Sequence, residues 1–174
     1  MWATFNRNEG AFEVLLEAGA EVNAQSKAGM SPLMFAANNL FFAKVATLLK
    51  AGAQVNMRDA AGFTPLMLAA RNATPKEVCG NNDEFLRIVM AGEMVQNLIA
   101  AGAEVNARSK RGETALGLAV KSGHGELVKV LLANGADVHS VSGLKNKTLT
   151  LYTAKADAES EVTFSKLLRN TQTK

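Results

Sequence analysis

The chain is 174 residues long, and its 48% hydrophobic and 20% charged residues are typical of one folded domain rather than a disordered tail. The formal net charge of +3 is too small to indicate a nucleic-acid partner, and the single cysteine, Cys79, excludes an internal disulfide. The most apolar stretch contains Asn38, Asn39 and Lys44, which argues against a membrane span, and no secretory signal pattern is visible. We therefore expect an intracellular, cytoplasmic protein.

Two short motifs recur along the chain at matching intervals. Variants of GAEVN are 33, 50 and 33 residues apart, and they begin at Gly19, Gly52, Gly102 and Gly135. Variants of TPLMLAA are 33 and 50 residues apart, and they begin at Ser31, Thr64 and Thr114. Because both motifs give the same intervals, the interval of 50 indicates a 33-residue unit that carries an insertion of 17 residues.

Each unit predicts a pair of helices. Thr64 can cap the first helix with its hydroxyl, and Pro65 suits the first helical position, where a missing N–H costs nothing. The apolar face of that helix is narrow, being formed by Leu66, Ala69 and Ala70. A second helix follows, as in ELVKVLLAN from Glu126, and Gly135 ends it in the left-handed conformation. Since one unit cannot bury its apolar face alone, the units must stack.

The turn after the second helix carries an asparagine in three of its four copies, namely Asn23, Asn56 and Asn106. Asparagine side chains hydrogen-bond to nearby backbone groups and so stabilise turns. We expect each of the three to hold a tight turn with its side chain. In the fourth copy His139 replaces the asparagine.

These motifs, with the runs GFTPLMLAA from Gly62 and GHGELVKVLLANGADV from Gly123, resemble the ankyrin repeat family. The resemblance implies an all-α repeat solenoid, in which helix-turn-helix units stack and β-hairpin loops connect them. It makes residues 1–174 a single domain. The parts of that domain are a truncated first repeat at 1–24, repeats at 25–57, 58–107 and 108–140, and a degenerate C-terminal capping repeat at 141–174.

One departure from the family is the absence of its usual histidine after Thr-Pro-Leu. Met34, Met67 and Gly117 occupy that position in the three repeats. We therefore expect packing to replace the hydrogen bonds that the family's histidine makes.

Both ends of the chain depart from the repeat pattern. The opening MWAT aligns with residues 34–37, so that it matches the second half of a first helix and Trp2 matches Phe35. We interpret the chain as a fragment of a longer array, in preference to the alternative that Trp2 forms a terminal cap. Met1 should then lie in a helix, with Trp2 packed against Phe35 or the neighbouring helices. The charged, irregular run after His139 predicts a C-terminal cap.

The insertion falls near residues 73–89. TPKE from Thr74 predicts a short helix that ends at Cys79, and Asn82 or Asp83 can cap a second helix that runs to Ala101 and is longer than its counterparts. The preceding repeat has LFF at 40–42, where polar turn residues are usual. We expect these apolar side chains to contact residues 78–90, in preference to forming an exposed binding or dimerisation patch.

Few residues of this sequence could support catalysis. Cys79, His124 and His139 lack the sequence partners that would indicate a nucleophile or a metal site, and no phosphate-binding glycine motif occurs. The resemblance implies a structural role for His124 at the turn between two helices. We therefore expect no enzymatic activity, no cofactor and no metal, unless a pocket holds Cys79 close to either histidine.

The resemblance implies a protein-protein interaction module or scaffold, which binds a partner protein or peptide on a concave ledge of hairpin tips and first helices. Residue by residue, the predicted partner-binding positions are Lys27, Met30, Arg58, Phe63, Arg71, Arg108, Lys110, Arg111 and Lys121. The same mapping adds further positions to the ledge, namely Gln25, Ala28, Asn38, Asn39, Ala60, Ala61, Asn72, Glu113 and Ser122.

The excess of cations on the ledge predicts an acidic partner, with Phe63 and Met30 as apolar anchors. The alternative is that the hairpin tips are solvated and tolerate any charge. The scarcity of aromatic residues there argues against nucleic acid, since base stacking supplies much single-strand affinity. The alternative interpretation is that the array is a regulatory or targeting segment of a larger multidomain protein or enzyme.

Overall fold

A computed structural model describes the backbone of residues 9–72 and 83–140, and the side chains within 12–72 and 91–139. These residues form seven α-helices, one 3-10 turn and no β-strand. The helices are α1 (Glu9–Glu17), α2 (Pro32–Asn38), α3 (Phe42–Lys50), α4 (Pro65–Asn72), α5 (Asp83–Ala100), α6 (Ala115–Lys121) and α7 (Gly125–Ala133). The 3-10 turn is Val138–Ser140.

The helices stack in two layers, which confirms the predicted all-α repeat solenoid. The first helices of the repeats, α2, α4 and α6, pack against one another in chain order, and the second helices, α3, α5 and α7, form the layer behind them. Small residues line the contact between the first helices, where Ala36, Ala37, Ala69, Ala70 and Ala119 are all buried. Their small side chains allow the helices to approach closely. Leu48, Leu98 and Leu131 fill the space between the layers.

The first helices begin at the predicted hydroxyl caps. The side-chain oxygens of Ser31, Thr64 and Thr114 each accept a hydrogen bond from the backbone N–H three residues later, at 3.2, 3.3 and 3.2 Å. In the first of these turns the Met34 sulfur also accepts a hydrogen bond from the Ser31 N–H, at 3.4 Å. Met34 and Met67 are otherwise buried in the core, as the missing histidine predicts.

The insertion lengthens the second helix of its repeat. α5 has 18 residues, whereas α3 and α7 have 9 each, which confirms the predicted long helix. The predicted helix ending at Cys79, the contact between the 40–42 run and residues 78–90, the placement of Trp2 and the cap at 141–174 all lie outside the described residues.

Within the described residues, the unusual LFF run covers a buried lysine. The Lys44 ammonium lies 5.1 Å from the centre of the Phe41 ring and 5.4 Å from that of Phe12, and Lys44 is only 5% exposed. The third repeat has His124 and Leu127 at the positions of Phe41 and Lys44. Leu40 has a φ of 55°, at the position of Gly123, and its side chain is buried. The rings of Phe12 and Phe41 therefore pack against the ammonium of Lys44, which occupies the position of the core residue Leu127 in the third repeat.

The asparagines of the loops hold turns with their side chains, but each one holds the turn of the neighbouring repeat and so bridges the two repeats. The Asn56 side chain accepts a hydrogen bond from the Glu104 N–H at 2.8 Å and donates one to the Gly102 carbonyl at 2.9 Å. Asn106 makes the same pair of bonds to the next repeat, at 2.7 and 2.9 Å. Asn23 bonds to the Gln54 N–H at 2.8 Å and, more weakly, to the Gly52 carbonyl at 3.5 Å. We call these contacts the Asn bridges.

The loops that precede the first helices are tight hairpins, each closed by a backbone hydrogen bond rather than by paired strands. The Asp59 N–H donates to the Phe63 carbonyl at 3.0 Å, and the Ser109 N–H donates to the Glu113 carbonyl at 2.9 Å. Adjacent hairpins are joined by the bond from the Lys110 N–H to the Ala61 carbonyl, at 3.0 Å. The tips therefore lie side by side along one edge of the stack.

Gly62 is required by both its backbone conformation and this close approach. Its φ is +82°, and a Cβ added there would lie 2.9 Å from the Lys110 nitrogen. Gly29 repeats the arrangement, with a φ of +75° and the Ala60 nitrogen at 2.9 Å. Any larger residue at either position would strain the backbone and push the next hairpin away.

We expect Asn56→Ala to lower the free energy of unfolding by about 1–3 kcal/mol, because it removes two inter-repeat hydrogen bonds that each contribute about 0.5–1.5 kcal/mol. Chemical denaturation measures this change. The control is Asn39→Ala, since the Asn39 side chain bonds only to the Phe35 carbonyl of its own helix. Equal effects of the two variants would contradict a special role for the bridge.

We also expect Gly62→Ala to destabilise the fold more than Gly52→Ala. Both glycines have a left-handed backbone, with φ of +82° and +84°, but a Cβ at Gly52 would meet no atom within 4 Å. The shared conformational cost is about 1–2 kcal/mol, and overpacking against the next hairpin adds about 1–3 kcal/mol at Gly62 alone. Chemical denaturation measures both losses of stability. Equal losses in the two variants would contradict the prediction, because they would show that the next hairpin moves away from residue 62 without an energetic cost.

Candidate functional site

The hairpins and first helices of two neighbouring repeats enclose a surface groove of about 640 Å³. One wall comes from α4 and the 59–63 hairpin, and the other comes from α6 and the 109–113 hairpin. The groove is lined by Ala61, Phe63, Arg71, Lys110, Arg111, Glu113, Leu118, Lys121 and Ser122. Its volume falls within the range of about 300–1,000 Å³ that is usual for ligand-binding pockets.

Five of the nine predicted partner-binding residues line this groove: Phe63, Arg71, Lys110, Arg111 and Lys121. Lys27, Met30, Arg58 and Arg108 are not among the lining residues. Sequence reasoning missed Leu118, which belongs to the core of α6 by its periodicity and is only 4% exposed. The other lining residues, Ala61, Glu113 and Ser122, are ledge positions.

The groove is positively charged. It has four cationic side chains, from Arg71, Lys110, Arg111 and Lys121, and one carboxylate, from Glu113. The Glu113 carboxylate accepts a hydrogen bond from the Ser109 hydroxyl of its own hairpin, at 3.3 Å.

The nearby Asp59 carboxylate is also used within its own hairpin. It accepts hydrogen bonds from the backbone N–H groups of Ala61 and Phe63, at 2.9 and 2.8 Å. The four cations outnumber these two carboxylates, so the net potential in the groove is positive.

Arg71 is held in place at the end of α4 by two contacts. The centre of its guanidinium lies 4.9 Å from the centre of the Phe63 ring, and its Nη2 donates a hydrogen bond to the Asn38 side-chain oxygen at 3.0 Å. Asn38 is fixed in turn by the Asn72 amide, which donates to the Asn38 side-chain and backbone oxygens at 2.6 and 2.8 Å. Phe63 is 9% exposed, so it presents little bare ring to a partner.

Arg58 is bound to the neighbouring repeat. Its Nη1 donates to the Arg108 carbonyl at 2.8 Å, and its Nη2 lies 3.3 Å from a Glu104 carboxylate oxygen. The side chains of this ion pair are 44% and 59% exposed, so solvent screens most of its strength.

Comparison with known families agrees with this architecture. A sequence model of ankyrin repeats in three copies matches residues 1–83 and 81–142. The chain belongs to the ankyrin repeat family. No curated protein matches the chain at a significant level. Ankyrin repeats are generally protein-protein interaction modules and are typically non-catalytic.

Other features of this ankyrin chain bear on its chemistry. Within residues 9–72 and 83–140, no group of three or more acidic, histidine or cysteine side chains is arranged to hold a metal ion. None of the helices in the same part of the chain combines the length and apolarity that a membrane span requires. Cys79 lies outside the described residues.

His124 is buried at the start of α7, where it is 8% exposed and its Nε2 has no hydrogen-bond partner. Desolvation by this burial lowers the pKa of the His124 imidazole below its usual value of 6.5. The neutral imidazole is therefore the form that fits the fold, which supports a structural role for His124.

This pKa shift predicts that acid destabilises the array. The unfolded chain binds a proton at His124 at a higher pH than the folded chain does, so stability is lost progressively as the pH falls below about 6.5. We expect His124→Leu to flatten the pH dependence of stability in this acidic range. Denaturation at a series of pH values tests this, with His139→Asn, at an exposed histidine, as the control. An unchanged slope in His124→Leu would contradict the prediction.

Proposed function

We propose that this ankyrin array binds an acidic segment of a partner protein in the groove between its second and third full repeats. The observation that supports the proposal is the imbalance of charge there. Four cations and one carboxylate line the groove. A cleft with one sign of charge attracts and orients a ligand of the opposite sign.

The rigidity of the groove favours binding by a short segment. The backbone bond from the Lys110 N–H to the Ala61 carbonyl, at 3.0 Å, joins its two walls, and the Asn56 bridge joins the loops that lead into their hairpins. The Ser122 hydroxyl adds a third link, since it donates to the Arg71 carbonyl at 3.1 Å. A site formed before binding loses less conformational entropy when the partner arrives.

An acidic protein segment fits the groove better than nucleic acid does. Phe63 is the one aromatic residue among its lining residues, and it is buried beneath Arg71. Single-stranded nucleic acids gain much of their affinity by stacking bases on exposed rings. The lining residues offer no such ring, whereas their cations suit carboxylates.

We expect reversal of two groove charges, Lys110→Glu with Arg111→Glu, to weaken an acidic partner segment at least about tenfold, which corresponds to about 1.4 kcal/mol. The partner segment is a peptide selected by display from Asp- and Glu-rich sequences. Its dissociation constant is measured across a salt series. Binding to the original chain should weaken steeply as salt rises, because salt screens exposed charges.

The control carries the same two charge reversals on the second helices, Lys50→Glu with Lys129→Glu. Lys50 ends α3 and Lys129 lies on α7, where its partner is Glu126 at 3.0 Å. We expect this variant to change affinity much less than the groove variant, since neither lysine lines the groove. Equal weakening by both variants would indicate a general charge effect, and unchanged affinity in the groove variant would move the site to the insertion or the convex face.

A further inference from the structure

We propose that Arg71 recognises one carboxylate of the acidic segment through paired hydrogen bonds, and that Asn38 and Phe63 are the positioning residues that hold its guanidinium ready. This inference rests on the proposed function. It separates Arg71 from the other cations of the groove, which would act through their charge alone.

Two contacts hold the guanidinium of Arg71. Its centre lies 4.9 Å from the centre of the Phe63 ring, and its Nη2 donates a hydrogen bond to the Asn38 side-chain oxygen at 3.0 Å. A guanidinium has further N–H donors in a planar fork, which matches the two oxygens of a carboxylate. Those remaining donors are available to a ligand in the groove that Arg71 lines.

The support for this arrangement extends through three repeats. Asn38, Arg71 and Lys121 occupy the same position of successive repeats, near the ends of α2, α4 and α6. Asn38 receives hydrogen bonds from both Arg71 and Asn72. On the other side, the Ser122 hydroxyl donates to the Arg71 carbonyl at 3.1 Å. The backbone and the side chain of Arg71 are therefore held from opposite directions.

Arg58 provides a comparison within the same ledge. Its guanidinium already has an acidic partner, Glu104, and it also donates to a backbone carbonyl. Among the described contacts Arg71 has no acidic partner, although it too has two contacts that position its guanidinium. An arginine that already has positioning contacts but no acidic partner is suited to bind a carboxylate of another molecule, because its side chain has less conformational entropy to lose on binding.

Arg71→Lys tests the proposal, because it keeps the charge and removes the planar fork. With the display-selected acidic peptide as probe, we expect the dissociation constant to rise about tenfold, with the same salt dependence as the original chain. Asn38→Ala should weaken binding about threefold and add nothing further to Arg71→Lys, since coupled residues are not additive. Asn134→Ala is the matched control, because the Asn134 side chain donates to the Val130 carbonyl of its own helix and does not line the groove, and it should bind as the original chain does.

The carboxylate is located by changing each acidic residue of the peptide to its amide and combining each change with Arg71→Lys. We expect strong coupling to one acidic residue and weak coupling to the rest. A peptide amidated at its C-terminus distinguishes a side-chain carboxylate from the terminal one. Thermal melting of Arg71→Lys checks that the fold is retained.

Two results would overturn the inference alone. One is unchanged affinity in Arg71→Lys while the Lys110 and Arg111 reversal still weakens binding, which would leave Arg71 as a simple charge. The other is coupling spread evenly over the peptide's acidic residues. If display yields no acidic peptide that binds, or the reversal has no effect, the proposed function fails and the inference fails with it.

Discussion

The order of this array depends on asparagine side chains that join each loop to the main chain of the next repeat. A helix ends with carbonyl groups that lack helical partners, and a left-handed glycine leaves its own carbonyl pointing outward. Asn56 and Asn106 donate to these glycine carbonyls and accept from the N–H two residues further on, with distances between 2.7 and 2.9 Å. The Asn56 bridge spans the repeat with the insertion, yet its geometry matches that of Asn106. The extra residues therefore leave the loop register unchanged.

This register creates the groove. Because the loops are fixed side by side, a backbone hydrogen bond joins the hairpin tips of adjacent repeats. Cations that are far apart in sequence, such as Arg71 and Lys121, then face the same space. Acidic residues near them are bonded inside their own hairpins. The positive charge of the groove thus follows from stacking, although the net charge of the whole chain is only +3.

Positions that are equivalent in sequence can still have different physical environments. Lys44 stands where Leu127 is buried, and the chain accommodates the cation between two phenylalanine rings instead of exposing it. Leu40 has a left-handed backbone at the position where the third repeat has Gly123. This conformation is strained for leucine but not for glycine, and burial of the Leu40 side chain offsets part of the strain energy. His124 is buried with one nitrogen unpaired, which favours its neutral form. Each departure is balanced by its immediate packing.

The sequence by itself determined the family, the two-layer helical stack, the caps of the first helices and the long α5. These features follow from a repeated apolar pattern and from hydrogen bonds between residues only three apart, such as Thr64 and Met67. The tertiary structure alone decided that the asparagines bridge repeats, that Phe63 is covered by Arg71, and which predicted cations share a groove. The Asn bridges join residues 29–48 positions apart, and the contact between Arg71 and Phe63 depends on side-chain rotamers; a local pattern specifies neither.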